Sequence, residues 1–404
     1  MGATWAEGVR VSENSVVRHH DTLVIGGGPG GLFAAARLAE RGYDVLLVEE
    51  HGEIGRPVHC TGILAREAFG EFGLGTGSVL NPLSQVRFNS PSGLQVDYDP
   101  TGVDAVVVDR AVFDEEIALR ATAAGARLLA SQRVTRLEVT ASGVTVTMAG
   151  GESHSARTVV LACGANYAFQ RQLGLGMPSV YLASAQLELP AECSGQVDVF
   201  FGSQTAPAGF AWAVPVSRGE QWHVRVGLMC DGDAGFYFAR LLERVREAFG
   251  LRDIESVSPR RRLLPLGTIR RTYTDRVVAV GDAAGLVKPT TGGGIYYSLL
   301  SAELAAESLH AGLSEGDVSA AALSRYEVAW RERLNAEFRS QLALRMLAQR
   351  LSDSEVDGLF NLAQTDGIMP LVYRTAQFNR HRDLIAALFK HPEARKLLFR
   401  RLLS

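Results

Sequence analysis

A chain of 404 residues with 47% hydrophobic and 21% charged residues can bury a sizeable core, which excludes a disordered or low-complexity protein. The length suits two domains, or one large α/β domain with insertions. A formal net charge of −3 leaves no electrostatic footprint for nucleic acid.

Cys60, Cys163, Cys193 and Cys230 are scattered, without the spacing of a zinc site or a disulfide framework. No metal is expected, and a reducing cytoplasm fits best. Basic residues are almost all Arg; Lys occurs only at 288, 390 and 396.

Residues 1–20 lack the apolar core of a signal peptide and read as a flexible leader. No apolar run approaches the ~20 residues needed to span a bilayer. Residues 21–50, "DTLVIGGGPGGLFAAARLAERGYDVLLVEE", predict a β-α-β unit: an apolar strand, a helix closed by Gly42, and a second strand. Gly26-x-Gly28-x-x-Gly31 sits at its strand-to-helix step, with Glu49 ending the next strand. This is the dinucleotide context. Gly26 permits the tight turn, Gly28 lets backbone approach a pyrophosphate, and Gly31 lets the helix pack on the strand. The helix N-terminus then faces the phosphates, and Glu49 is expected to accept from the adenosine ribose hydroxyls.

Residues 51–66 are irregular and polar. A helix and a strand follow over 108–131, then alternating strands with turns over 134–165. Between about 175 and 265 the texture changes to strands with aromatics, "VYLASAQLELP", "GQVDVFFGS", "GFAWAVPV" and "QWHVRVGLMC". An antiparallel sheet inserted into the nucleotide domain and roofing a pocket is expected there. The α/β texture returns at 276–310, and the pattern is helical from 317 onward. The expected division is a dinucleotide domain of 21–80, 105–172 and 268–312, a sheet domain of 81–104 and 173–267, and a helical domain of 313–404.

A second glycine turn, "GDAAGLVKPTTGGGIYY" at 281–297, again follows an apolar strand and opens a helix. One ligand long enough to need two grips so far apart is FAD. Gly281 and Asp282 are placed for the ribityl chain. The turn through Gly292 and Gly294 starts a helix whose amides and dipole favour negative charge at the flavin N1/C2=O edge.

The order GxGxxG, "RAVFD" (110–114) and "GDAAG" resembles the glutathione-reductase-like flavoproteins of the hydroxybenzoate hydroxylase type. Within them, "EIGRPVHCTG" (53–62), "FAWAVP" (210–215) and the 281–307 segment are similar to the geranylgeranyl reductase family. The similarity covers nearly the whole chain. It implies a Rossmann-like FAD-binding domain, an inserted antiparallel substrate sheet and a helical C-terminal region. It also implies that Cys60, Thr61 and Ile63 lie beside the flavin and that Arg110 contacts flavin or pyrophosphate. Val134 is implied at the adenine, Gly294 and Ile295 at the pyrimidine edge, and Gly30 with Glu49 on the adenine side.

The family's aromatic segment lining an apolar cavity is matched by Trp212, Pro215 and Gly227. Phe210 stands for its Tyr, Val214 for its Phe and Arg225 for a Gly. The function expected is an FAD-dependent reductase of isoprenoid C=C bonds on a lipid, diphosphate or quinone. Cys60 and His59 are candidate proton donors, and NADPH or a ferredoxin is the transient electron donor, since no second GxGxxG exists. The alternative is a flavin-dependent monooxygenase or halogenase of the same fold, weakened by Phe210 at the first aromatic position. The segment 379–404 is basic and amphipathic, which suits peripheral contact with anionic lipid.

Overall fold

Apolar runs at 23–25, 45–48 and 159–161 show no polar face, so these strands must be covered on both sides, the mark of a parallel sheet. The computed structural model describes residues 18–99, 104–192, 196–252, 254, 258–365 and 367–399. The expected leader lies outside them up to residue 17, as does Cys193.

The first sheet runs in the order Tyr273–Thr274, Val277–Ala279, Ser153–Leu161, His19–Ile25, Val45–Val48, Arg127–Leu129. All neighbours are parallel except the first pair. The strands Val134–Val139 and Val144–Met148 extend it as an antiparallel hairpin beside Ser153–Leu161. The first strand starts at His19, so two residues read as leader belong to the sheet; His20 is buried with Nδ1 3.0 Å from Asp44.

Three helices, Pro29–Ala39, Arg110–Ala123 and Ile295–Glu315, cover this sheet, and the first packs against both others. Asp109 caps the second by accepting from the amides of Ala111 and Val112, satisfying donors that the helix itself cannot.

A seven-stranded sheet carries the order Arg260–Pro265, Tyr181–Ala191, Gln221–Cys230, Phe210–Arg218, Val197–Phe200, Val86–Asn89, Gln95–Tyr98. It is antiparallel as expected apart from one pair, Val197–Phe200 beside Val86–Asn89, which is parallel. The physical reason is connectivity. Hairpins force antiparallel pairing within each excursion of the chain, whereas the join between two separate excursions carries no such constraint. The helix Ala234–Phe249 packs on this sheet and closes a second apolar core around Phe238, Leu241 and Val245. A three-stranded sheet, in the order Ile63–Ala65, Ala105–Val108, Val79–Leu83, is built from segments on either side of the strands Val86–Asn89 and Gln95–Tyr98.

The helix Ala320–Ala348 buries Tyr326, Trp330, Leu334 and Phe338 at four-residue spacing against the dinucleotide core, the stripe that a 3.6-residue repeat produces. Shorter helices follow at Asp353–Thr365, Ile368–Thr375, Arg382–Lys390 and Pro392–Phe399. Ile385, Ala394 and Leu398 of the amphipathic segment are buried within this bundle; Arg400 and Arg401 lie outside the described residues. Among the described residues no helix is long and apolar enough to cross a membrane.

Candidate active site

Both glycine turns open on one cavity of about 1780 Å³ at the carboxyl ends of the parallel strands, where Ile25, Val48, Ala162 and Val280 form its floor. Ligands of open α/β sheets bind at this edge. At the first turn Gly26 has φ +110, and a Cβ there would lie 2.3 Å from the Ala162 carbonyl oxygen. A Cβ on Gly31 would lie 2.0 Å from the Gly26 oxygen. Gly28 differs: a Cβ there would meet nothing within 4 Å. The turn is thus closed on its protein side and open toward the cavity. Glu49 Oε2 accepts from the Gly27 amide at 2.6 Å, and its other oxygen accepts from the His51 amide at 2.9 Å.

At the second turn Gly281 has φ +56 and donates its amide to Ser301 Oγ at 3.0 Å. Asp282 is half-buried in the cavity wall, and desolvation pushes its carboxyl up against the opposing pull of Arg262 and Arg110. A Cβ on Gly294 would sit 2.9 Å from Asp282 Oδ1, so only glycine lets the helix Ile295–Glu315 start this close to the carboxylate. Gly30 of the first helix packs against Ser298 of this one. The two grips are therefore one surface.

The 53–62 loop enters from the side. His59, Cys60, Thr61 and Ile63 all line the cavity, as do Arg110, Val134, Gly292 and Ile295. Cys60 Sγ accepts from the Gly62 amide at 3.3 Å, and Thr61 Oγ1 donates to Gln186 at 2.8 Å. Arg110 places Nη2 between the Asp114 oxygens at 3.0 and 2.9 Å. Burial works against its charge, but Asp114 and Cys60 outweigh it and hold the guanidinium protonated. Its Nε is buried without a partner, a donor left for a ligand. His59 Nδ1 is likewise buried and unpartnered. Burial, with Arg262 and Arg260, pulls the His59 imidazole down to about 4. The lowered value favours the neutral ring, and His59 lines the cavity beside the other candidate proton donor, Cys60.

The loop is held by a residue that sequence reading noted only as a departure. Arg225 is fully buried, donates from Nη1 to the carbonyls of Thr61 at 2.6 Å and Val108 at 3.0 Å, and pairs through Nε with Glu188 at 2.8 Å. Arg218 continues the chain of charges, bonding Glu188 and Asp109.

Beyond the loop the cavity becomes an apolar chamber lined by Phe201, Phe210, Trp212, Met229, Leu264 and Phe360. The Phe210 and Trp212 rings lie 5.7 Å apart. Pro215 and Gly227 do not line it. Pro215 sits in the sheet and accepts from Asn81 Nδ2 at 3.3 Å. Gly227 lies opposite Trp212, and its missing side chain is the space that the indole fills. Two further residues of the wall, Lys288 and Arg345, left no signal in the sequence, because what sets them apart is their burial.

This chain is similar along most of its length to named proteins. The family model described as lycopene cyclase protein matches residues 21–363. Digeranylgeranylglycerophospholipid reductase from Methanocaldococcus jannaschii is 31% identical, covering 84% of this chain and 89% of its own. Digeranylgeranylglycerophospholipid reductase 1 from Methanothermobacter thermautotrophicus is 32% identical, covering 85% and 90%. The chain belongs to the geranylgeranyl reductase family. It falls within the wider lycopene cyclase protein family as well. A geranylgeranyl bacteriochlorophyll reductase-like protein from Thermoplasma acidophilum shares the fold with a TM-score of 0.82, at 23% identity and covering 96% of this chain and 99% of that one. As a geranylgeranyl reductase family member the protein is an oxidoreductase. Phe210, standing where the family's Tyr is expected, packs on Phe201 and Trp212 and brings no hydroxyl to the chamber.

Proposed function

We propose that this protein is an FAD-dependent reductase that saturates C=C bonds of a prenyl chain borne on a lipid. The single observation that carries the reading is the continuity of the cavity from the two glycine turns into the aromatic chamber. Its volume exceeds the about 300–1,000 Å³ of ordinary small-ligand sites, which leaves room for a long cofactor and a long chain together. The reductases named above, acting by name on a digeranylgeranyl glycerophospholipid, support the substrate class.

The residues fit FAD. Gly28 leaves the first turn open, Arg110 Nε is an orphaned donor, and two helices begin at the same wall. Gly26, Gly28, Gly30, Gly31, Glu49 and Val134 would hold the adenine half. Arg110, Cys60, Thr61, Ile63, Gly281, Asp282, Gly292, Gly294 and Ile295 would hold the flavin half. When bound and reduced, FAD supplies a hydride. The chain's own work is alignment and exclusion of water, because an isolated alkene has no carbonyl to polarise. Phe210 and Trp212 line the hydrocarbon path, with Gly227 making room for the Trp212 indole and Pro215 placed in the same strand as Trp212. The matching proton comes from Cys60 or a trapped water rather than from a resting His59 imidazolium. NADPH or a ferredoxin delivers electrons in a transient encounter, and the basic 379–404 segment rests on anionic lipid.

Anaerobic incubation of the reduced protein with a panel of prenyl lipids, read by mass spectrometry, tests the reading. A gain of two hydrogens per bond is expected. An isomer of unchanged mass points to ring closure, the chemistry in the family model's name, and product that forms only with O₂ points to a monooxygenase or halogenase; either result overturns the reductase.

A further inference from the structure

Two cations stand in the chamber wall without a carboxylate partner. Lys288 is 4% exposed and Arg345 6% exposed, and both line the cavity. Lys288 Nζ donates to the Phe378 carbonyl at 2.8 Å and to Asn379 Oδ1 at 3.2 Å. Arg345 donates to the Pro289 carbonyl at 3.0 Å and to the Ala208 carbonyl at 2.9 Å. All four acceptors are neutral. Among the described residues neither cation has an acidic group within ion-pair distance. Glu67 and Glu337 act on Lys288 only from beyond its direct contacts: Glu67 accepts from Asn379 at 2.9 Å, and Glu337 from the amides of His381 at 2.9 Å and Arg382 at 3.1 Å, and no carboxylate offsets the burial of Arg345.

Buried charges in proteins are normally paired, because desolvation is costly unless an opposite charge offsets it. Here the cost shows in both groups. Burial pulls the Lys288 ammonium down to about 7 and the Arg345 guanidinium down to about 10. Hydrogen-bonding capacity is also left over at Arg345: a guanidinium has five donors, and Arg345 Nε is buried with no partner. Lys288 Nζ makes its two hydrogen bonds and lies 4.2 Å from the centre of the Phe378 ring. The two side chains are joined through one turn, since Arg345 holds the carbonyl of Pro289, the residue after Lys288. Lys288 and Pro289 belong to the second glycine turn, whereas the other contacts of the two cations, Ala208 and the Phe378–Asn379 segment, lie outside both turns.

The geometry points to an anion-binding site, built by Lys288 and Arg345, that receives the phosphate or diphosphate head of the prenyl substrate. This inference rests on the prenyl-reductase reading and deepens it: it assigns two residues of this chain to a phosphate head of the kind that the relatives' phospholipid substrate carries by name, and that a prenyl alcohol or quinone lacks. A fixed head would also set which double bond of the chain reaches the glycine turns.

The test titrates FAD-loaded protein with geranylgeranyl phosphate and with geranylgeraniol. Wild-type protein, Lys288→Met, Arg345→Met and Lys288→Arg are compared, with melting temperature and FAD content recorded for each. Wild-type protein is expected to bind the phosphate about tenfold or more tighter than the alcohol, the worth of one charge-assisted hydrogen bond. Each Met variant should bring that ratio toward one with alcohol affinity held, and Lys288→Arg should keep most of it. Inorganic diphosphate should displace the phosphate ligand from wild-type protein, a measurement that needs no variant. A wild-type ratio near one, a ratio unchanged in both Met variants, or no displacement by diphosphate overturns the site. An unchanged ratio with a lowered flavin midpoint potential assigns the cations to the reduced flavin and also overturns the head-group role. If neither prenyl ligand binds, the prenyl reading fails and this inference falls with it.

Discussion

Arg225 Nη1 donates to the Thr61 carbonyl oxygen at 2.6 Å, tying an inner strand of the seven-stranded sheet to the loop that carries Cys60. A Cβ on Gly62 would lie 2.4 Å from that same nitrogen, so loop and guanidinium are fitted to each other. Arg225→Met removes the donor for two carbonyls and one partner of Glu188. A loss of roughly 1.5–3 kcal/mol is expected, the range for hydrogen bonds to charged groups. Denaturant melts should show it, together with a lower FAD content, and unchanged FAD content at equal stability would mean that the loop does not need its tether.

Gly227→Ala is a second test of fit. A Cβ at this position would approach the Trp212 ring to 2.5 Å, and the three nearest atoms all belong to that half-buried indole. Overpacking of this kind costs about 1–3 kcal/mol. The measurable signs are a lower melting temperature and a shifted Trp fluorescence maximum. Prenyl-chain binding should weaken more than FAD binding, because the glycine supports the chamber and does not line the cofactor turns.

His59 gives a pH dependence with a definite sign. The unfolded imidazole takes up a proton near its ordinary 6.5, the folded one only near 4. Between those values the unfolded chain binds more protons, so stability falls as pH falls through this window. Above it the ring is neutral in both states and contributes nothing. Thermal melts of His59→Gln from about pH 7 to about pH 4 should show a shallower decline than wild type. Parallel curves would show that the folded ring titrates normally.

At Gly293 a Cβ would stand 3.2 Å from Lys288 Cε and 3.7 Å from its Nζ. Because the nearest atom belongs to a flexible side chain, Gly293→Glu can be accommodated, and its carboxylate reaches the ammonium. FAD content should hold. Pairing would keep Lys288 charged and occupied, so preference for a phosphate head should drop and turnover or substrate range should change. Unaltered kinetics and an unaltered preference would make the position a bystander.

What could be read from the sequence was what is encoded locally. Gly26, Gly28 and Gly31 announce a turn because each answers a steric demand of adjacent backbone, and that demand repeats wherever such a turn is built. Lys288 and Arg345 announce nothing, since neither residue type nor spacing tells that both side chains are buried and lack acids. That is settled by helices and loops arriving from other parts of the chain. Arg225 was visible only as a residue out of place, and its bond to Thr61 required knowing that strand Gln221–Cys230 passes beneath the 53–62 loop. Pro215 and Gly227 were placed on the chamber because their segment lines it. Strand alternation and the Trp212–Gly227 register put them inside the sheet instead.

The contact of Gly30 with Ser298 has a consequence for how the protein comes into being. The first glycine turn is synthesised early, but the helix completing the wall behind it emerges only after the whole substrate sheet. Until then the early turn has nothing opposite it, and FAD bound as proposed would be gripped at one end only. FAD held as proposed would therefore be captured late, clasping two distant pieces of chain and offsetting the entropy of closing a long loop. On losing FAD, the helix Ile295–Glu315 should loosen before the strand His19–Ile25, and amide exchange should record that order.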